Sequence, residues 1–171
     1  MCGIVGYIGH RNVQPVIIKG LKRLEYRGYD SAGIALLNGG ITVDKVAGKV
    51  RDLENALPEP DQKAHVGIGH TRWATHGEPN QVNAHPHLSE NALEEAVRVA
   101  LSKVVGAYAI VVMGQDNPNT LIAARKGSPL VIGIGNEEYF LASDATPIVE
   151  YTRNVIYLKD NDVAIVRGDS M

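Results

Sequence analysis

Glycine divides this chain into short apolar segments, and this division limits the folds that the chain can adopt. Eighteen glycines are spread over 171 residues, and the apolar stretches between them are mostly strand-sized. Residues 3–9 predict a buried first strand. Residues 31–37 and 41–46 predict a hairpin, because the Asn38-Gly39 turn tolerates positive φ. Residues 65–70 predict another strand, and residues 107–166 alternate strands with turns. Strands with single helices between them predict one α+β layered domain over residues 1–171.

Four helices are expected between these strands. Apolar residues recur at helical spacing from Val16 to Leu24, which predicts an amphipathic helix over residues 14–26. Short helices are expected over residues 51–57 and near residues 146–152. Asn91 is a candidate N-cap for a fourth helix, with Glu94 completing a capping box. The predicted buried stripe of that helix is Leu93, Ala96, Val97, Ala100, Leu101 and Val104.

Composition and charge exclude several classes of protein. Seventeen basic and nineteen acidic residues give a net charge of -2, and there is no basic stripe of the kind that nucleic-acid binding requires. No apolar run approaches the roughly 20 residues of a membrane-spanning helix. The first residues lack a basic region and a cleavage site, so no signal peptide is expected. With one cysteine no intrachain disulfide can form, and a cytoplasmic enzyme is predicted.

Cys2 is the first candidate catalytic residue. Methionine aminopeptidases generally remove Met1 when the next side chain is small, which would leave a thiol and a free α-amine on one residue. The reference pKa of an α-amine is about 7.7–8.0, so this amine can act as the general base for its own thiol. The alternative is that Cys2 is a small buried apolar residue, which is common for cysteine.

Residues 71–91 form a long segment without apolar periodicity, and long loops in compact domains are often functional. Arg72 lies at its start, and a planar guanidinium can bind a carboxylate through two parallel hydrogen bonds. Thr75 and His76 could add donors to the same carboxylate. The alternative is a solvated loop arginine beside a structural histidine.

Other chemistries have weaker support. The spacing of His70, His76, His85 and His87 fits no standard zinc site, so no metal is expected. Residues 28–33 are one position out of register with a nucleophile elbow. Gly-x-Gly pairs lack the third glycine of a dinucleotide site, and there is no Walker A lysine. No cofactor is therefore expected.

Four motifs together carry a resemblance to a known family. They are Cys-Gly-Ile-Val-Gly at residues 2–6, LEYRGYDSAG at 24–33, HTRWATHGEPN at 70–80 and NAHPH at 83–87. These resemble the glutaminase domain of the N-terminal-nucleophile, or class II, glutamine amidotransferases. The tryptophan in HTRWATHGEPN, with GSPLVIGIG at 127–135, is similar to the isomerising glutamine–fructose-6-phosphate aminotransferases.

The resemblance implies a fold, a reaction and a set of site residues. The fold is a four-layer αββα sandwich of two mostly antiparallel sheets. The reaction is attack of Cys2 on the side-chain amide of L-glutamine, release of ammonia and hydrolysis of a γ-glutamyl thioester. The ammonia would pass to a C-terminal sugar isomerase domain, which this chain does not contain, for glucosamine 6-phosphate synthesis. The implied substrate-binding residues are Arg72, Trp73, Thr75 and His76, with Arg27, Gly28 and His85 in supporting roles.

One family segment is missing from this chain. Family members carry several tens of residues after NAHPH-x-S-E, including a His-Asn-Gly oxyanion hole and an acidic stretch that binds the substrate ammonium. Here Asn91 runs directly into Ala92. Either the natural protein carries the segment, or the shortening is natural and the domain lacks two essential parts. The first is favoured, because losing a strand and a helix would leave unpaired edges. Two other functions stay open: an inactive truncated domain, and a related amidohydrolase acting on another amide.

Overall fold

The fold consists of ten strands, three α-helices and a short 3₁₀ helix in the part of the chain that the structure describes. The structure is a computed structural model, and it describes residues 2–61, 63–73, 78, 80–81, 83–87 and 93–168. The strands are β1 Gly3–Ile8, β2 Ser31–Leu37, β3 Ile41–Ala47, β4 Val66–Arg72, β5 Tyr108–Gly114, β6 Asn117–Lys126, β7 Val131–Ile134, β8 Tyr139–Ala142, β9 Val155–Tyr157 and β10 Val163–Arg167. The helices are α1 Val13–Arg23, α2 Val50–Ala56 and α3 Leu93–Lys103, and the 3₁₀ helix is Glu25–Arg27.

The strands form two antiparallel sheets of unequal size. The large sheet has the order β3-β2-β4-β1-β8-β7-β9, and the small sheet has the order β10-β6-β5. The predicted first strand is β1, which lies at the centre of the large sheet between β4 and β8. The predicted hairpin is also confirmed, with Leu37 paired to Ile41 and Gly39 at a φ of 66°. The start of the chain is therefore held on both sides.

Three apolar clusters separate four layers. The first lies between α1, α2 and the large sheet, and includes Ile17, Leu21 and Val5. The second lies between the two sheets, and the third joins Val97 of α3 to Ile122 of β6. The order of layers is therefore helices, large sheet, small sheet and helix. This arrangement confirms the expected α+β, four-layer αββα sandwich.

The first helix begins and ends for identifiable reasons. The side chain of Asn12 caps α1 by accepting a hydrogen bond of 3.1 Å from the backbone N–H of Gln14. Lys22 and Arg23 lie in the last turn, where positive charge favours the C-terminal end of the helix dipole. The predicted helix over residues 14–26 is thus α1 followed by the 3₁₀ helix. The predicted helix over 51–57 corresponds to α2.

Two predictions about helices are wrong. Residues 146–151 form overlapping turns rather than a helix, because their backbone N–H groups bond to the carbonyls of Ala145 and Ile148 instead of to a run of consecutive carbonyls. Ala100 and Val104 are exposed, although they were expected in the buried stripe of α3. The small sheet is only three strands wide, so its outer face covers a narrow part of α3. The Asn91 cap lies outside the described residues, as do the side chains of Leu93 and Ala96.

Within the described ranges, no helix has the length and hydropathy needed to cross a membrane.

A buried polar network closes the end of the large sheet where β1 ends and β8 begins. Glu138 is 3% exposed and accepts a hydrogen bond of 2.9 Å from the Tyr7 hydroxyl. Arg11 donates to both carboxylate oxygens of Glu138, from Nε at 2.7 Å and from Nη2 at 3.0 Å. Burial alone would raise the pKa of Glu138, but the hydrogen bonds from Arg11 and Tyr7 outweigh it and lower this pKa.

We expect Glu138→Gln to lower the free energy of unfolding by about 1–3 kcal/mol at pH 7, because the amide cannot pair with the charge of Arg11. Since folding lowers the pKa of Glu138, its contribution is present above the unfolded value of about 4.3 and is lost as pH falls through the folded value. The difference in the free energy of unfolding between Glu138→Gln and wild type should therefore be smaller at pH 3 than at pH 7. Urea unfolding at the two pH values measures this difference. Glu54→Gln removes an exposed ion pair with Lys22 and is the control; equal losses in the two variants would contradict the prediction.

Candidate active site

One end of the large sheet brings together four parts of the chain that are distant in sequence. Because neighbouring strands are antiparallel, the start of β1 lies beside the ends of β4 and β8, and the start of β2 lies beside the end of β4. The residues at this end are Cys2, the segment from Arg27 to Ser31, Arg72, Trp73, Ser143 and Asp144. Three of the four motifs found in the sequence contribute to it.

Cys2 immediately precedes the central strand. Its thiol is free and the residue is partly buried. Gly3 pairs with Thr71, so continuing the register by one residue brings Cys2 opposite Arg72. Ile8 and Ile68 lie in the cluster between the two sheets, and alternation along each strand places Cys2 and Arg72 on that same face. The thiol and the guanidinium therefore belong to one face of neighbouring strands.

Arg72 is held in a buried position at the end of β4. It is 9% exposed, and its Nη1 donates a hydrogen bond of 3.2 Å to the carbonyl oxygen of Glu78. Gly28 packs directly on the Arg72–Trp73 peptide, where a Cβ would lie 2.6 Å from the carbonyl carbon of Arg72. Trp73 is 45% exposed, and its ring lies edge-to-face with the ring of Tyr29, with the ring centres 5.4 Å apart. The position of the arginine is thus fixed from two sides.

Arg27 lies on the opposite face of the sheet edge, near the helices. Its side chain is 7% exposed, and Nη1 lies 3.7 Å from Oδ2 of Asp144. The guanidinium carbon of Arg27 lies 6.0 Å from the ring centre of Tyr26. Arg27 and Gly28 therefore lie at the same end of the sheet as Arg72 and Asp144, and their supporting role stays a prediction.

Three histidine rings pack together next to Arg72. Nδ1 of His85 lies 3.3 Å from Nε2 of His70. The ring centres of His85 and His87 are 4.6 Å apart. Burial, with smaller contributions from His85, Arg72 and His87, lowers the pKa of His70 to about 3. Burial and His87 also lower the pKa of His85. A neutral, tightly packed pair thus joins the segment of residues 83–87 to β4.

Comparison with known proteins places this chain in a family. No family model matches the chain. The glutamine–fructose-6-phosphate aminotransferase of Bacteroides thetaiotaomicron is 47% identical over 224 aligned positions, covering 100% of this chain. The enzyme of the same name from Caldanaerobacter subterraneus is 42% identical over 219 positions and also covers 100% of the chain. The chain belongs to the glutamine–fructose-6-phosphate aminotransferase family. It spans about 36% of the length of these relatives.

Solved structures confirm the fold of this family member. A glutamine phosphoribosylpyrophosphate amidotransferase from B. subtilis has a TM-score of 0.76 at 21% identity, covering 98% of this chain and 49% of that one. An allosteric regulatory enzyme of purine biosynthesis has a TM-score of 0.77 at 22% identity, with the same coverage. At this level of identity the likeness shows the fold alone.

The structure places most of the predicted site residues together. Cys2, Arg72, Trp73, Arg27 and Gly28 meet at one end of the large sheet, and His85 reaches it through His70. Thr75 and His76 lie outside the described residues. In the described part of the chain, no group of three or more His, Cys, Asp and Glu could hold a metal ion.

Sequence reasoning missed two residues at this end. Ser143 and Asp144 follow β8, and the Ser-Asp pair after an apolar strand is indistinguishable in sequence from an ordinary turn signal. Their position depends on the pairing of β1 with β8, across more than 130 residues of chain. No signal in the single sequence indicated that pairing.

Proposed function

We propose that this family member hydrolyses L-glutamine to glutamate and ammonia through a γ-glutamyl thioester on Cys2. The observation that carries the proposal is the position of Cys2, which precedes the central strand β1 and lies opposite the buried Arg72 at the end of β4. Relatives that cover the whole chain are named as aminotransferases that use glutamine. A carboxylate-binding group beside a thiol suits an amino-acid substrate with a side-chain amide.

The chemistry follows from the two groups on the mature first residue. After removal of Met1, the α-amine of Cys2 takes the thiol proton, and the thiolate attacks the amide carbon of glutamine. The C–N bond breaks and the amine returns the proton to the leaving nitrogen, which departs as ammonia. Water then attacks the thioester, releases glutamate and regenerates the thiol.

The pocket would bind the two ends of the substrate separately. Arg72 is proposed to hold the α-carboxylate through its planar guanidinium, with Trp73, Thr75 and His76 lining the same pocket. Arg27 and Gly28 would support the start of the chain, and His85 would support the loop through His70. This division lets one site select a free amino acid, because a substrate without the carboxylate leaves the guanidinium without its ligand.

The ammonia is proposed to serve glucosamine 6-phosphate synthesis in a sugar isomerase domain. The support is that the relatives extend well beyond the part that this chain matches. A cytoplasmic setting belongs to the proposal as well, because the single cysteine is proposed to act as a reactive thiol rather than in a disulfide.

We further propose that residues 1–171 form a single glutaminase domain that lacks a family segment between Asn91 and Ala92. The alignment with the Bacteroides relative runs over 224 positions against 171 residues, which leaves at least 53 positions without a counterpart in this chain. The resemblance to the family implies that this segment supplies the oxyanion hole and the ammonium site. The same observation favours a second candidate function, a folded domain without catalysis.

The test of the proposed function is covalent capture of Cys2 by 6-diazo-5-oxo-L-norleucine, a thiol-directed glutamine analogue. Intact mass spectrometry of the mature chain should show one adduct, and excess glutamine should slow its formation. Ammonia release is measured in parallel. An unmodified chain without ammonia release would favour the non-catalytic domain instead.

Restoring the segment should raise the rate of glutamine hydrolysis. Inserting the corresponding residues of the Bacteroides relative between Asn91 and Ala92 is expected to increase kcat by about 10²–10³-fold, the usual effect of one oxyanion donor. Ammonia release under saturating glutamine measures it. A glycine–serine insert of equal length is the control. Equal rates for the two inserts would place the oxyanion donors elsewhere.

A further inference from the structure

The end of β8 holds the start of β1 through Ser143. The backbone N–H of Ile4 donates a hydrogen bond of 3.0 Å to the Ser143 hydroxyl, and the Ser143 N–H donates to the Ile4 carbonyl at 3.1 Å. Ile4 thus turns both backbone groups toward β8. Residues i and i+2 of a strand present these groups on the same edge, so continuing β1 by one residue turns the amino group of Cys2 toward the segment after β8.

An acidic side chain lies in the segment toward which this amino group is directed, one register position from Cys2. Val5 pairs with Ala142, so continuing the register places Gly3 beside Asp144. Hydrogen bonding from Thr146 is the main cause that lowers the pKa of Asp144, and it outweighs partial burial. The Asp144 carboxylate is therefore ionised at neutral pH next to the first residues of the chain.

The charged groups around this carboxylate leave it able to accept one further donor. Oδ1 accepts the N–H of Thr146 at 2.8 Å, while Oδ2 faces Arg27 at 3.7 Å. Tyr26 also hydrogen-bonds to the carboxylate. Across β1, Arg72 is the charged residue opposite Cys2 in the continued register. A carboxylate offers about four lone-pair sites, and the two donors of Thr146 and the Tyr26 hydroxyl use three, so the Asp144 carboxylate can accept one further N–H.

We propose that Ser143 and Asp144 position the α-amino group that Cys2 acquires when Met1 is removed. Ser143 fixes the backbone at Ile4, and the Asp144 carboxylate accepts an N–H of the amine and directs its lone pair toward the thiol. Both are positioning residues. The inference rests on the terminal-cysteine nucleophile of the proposed function, but its tests measure the amine and the thiol without glutamine.

The first test measures protonation of the α-amine in the mature chain. Competitive labelling with trace acetic anhydride at a series of pH values gives the pH midpoint of the amine by peptide mass spectrometry. The Cys2 thiol is first blocked as a methyl disulfide, so that no acetyl group can pass from the sulfur to the amine. A nearby carboxylate favours the ammonium form, so Asp144→Asn should lower the midpoint. At pH 7 the amine should then be acetylated about three- to tenfold faster.

Asp44→Asn is the matched control, because Asp44 lies in the edge strand β3, three strands away from β1 and outside the candidate site. Its midpoint should equal that of wild type. An unchanged midpoint in Asp144→Asn, or an equal shift in Asp44→Asn, would overturn the proposal. If the wild-type chain does not hydrolyse glutamine, the proposed function is overturned, but the measured pH midpoints of the amine still test the present proposal.

The second test measures whether Ser143 positions the thiol. Cys2 is the single cysteine, so the rate of iodoacetamide alkylation reports one site. Ser143→Ala should change the alkylation rate at pH 7 by about threefold or more, because the α-amine is then no longer held beside the thiol. Ser143→Thr keeps the hydroxyl and should restore the wild-type rate. Thr152→Val removes a comparable hydroxyl bond to the Ile134 carbonyl at the opposite end of the sheet and should leave the rate unchanged. Equal rates in Ser143→Ala and wild type would contradict the proposal.

Discussion

Cys2→Ser is expected to abolish capture by 6-diazo-5-oxo-L-norleucine and to reduce ammonia release by at least about 10³-fold, as is typical when an enzyme loses its nucleophile. The thiol ionises near pH 8.5 in model peptides, whereas an alcohol stays protonated at neutral pH. An amine near neutrality can therefore form the thiolate before attack, whereas the alcohol gives up its proton only as it attacks and is the weaker nucleophile in a site built for sulfur. Intact mass and an ammonia assay measure the two effects on the same preparation.

The fold of this variant should be intact, because serine and cysteine are similar in size and Cys2 lies before the first residue of β1. Thermal unfolding of variant and wild type checks this. A chain that retains Met1 is the second control: it keeps the thiol but carries its amine on the wrong residue, so it should be slow as well. Persistent glutaminase activity in Cys2→Ser would mean that another residue is the nucleophile.

Arg72→Ala is expected to raise the KM for glutamine by about 100-fold while kcat falls much less, because the arginine is proposed to bind the substrate carboxylate far from the reacting amide. Loss of a buried charged partner usually costs about 2–5 kcal/mol, which includes this value. Arg72→Lys keeps the charge but loses the planar fork, so an intermediate effect of about tenfold is expected. Initial rates over a range of glutamine concentrations measure both parameters.

The matched control is Arg51→Ala, which removes an exposed arginine from α2 and should leave KM unchanged. Because Arg72 also donates to the Glu78 carbonyl, thermal unfolding should accompany the kinetics. A KM for Arg72→Ala within twofold of wild type would contradict the assignment of the carboxylate-binding residue. A fall confined to kcat would instead assign Arg72 to the reacting end of the substrate.

Much of the fold follows from local patterns in the sequence. The strands predicted over residues 3–9, 31–37 and 41–46 are confirmed, because short apolar runs separated by turn residues favour strands. The prediction of a helix near residues 146–152 was wrong, because the local pattern does not show that the backbone N–H groups there share the carbonyls of Ala145 and Ile148 instead of forming a continuous ladder. Exposure of Ala100 could not be predicted either, since a periodic pattern does not reveal how wide the facing sheet is.

The candidate site was only partly predictable for a different reason. Cys2 and Arg72 stand out by residue type and motif, and the pairing of β1 with β4 places them on neighbouring strands. Ser143 and Asp144 carry no such signal, because their role depends on a strand pairing between the two ends of the chain. Non-local pairings of this kind arise from the packing of the whole sheet rather than from any local propensity.

The contact between Ile4 and Ser143 also sets the order of events during synthesis. These residues are 139 positions apart, so ribosomes adding about 5–20 residues per second make the second one roughly 7–28 seconds after the first. During that interval the first residues have no completed sheet to join, and an aminopeptidase can reach Met1. Once β8 has emerged and paired, the terminus becomes enclosed. Removal of Met1, which the proposed function requires, is therefore favoured on the nascent chain, before β8 pairs with β1.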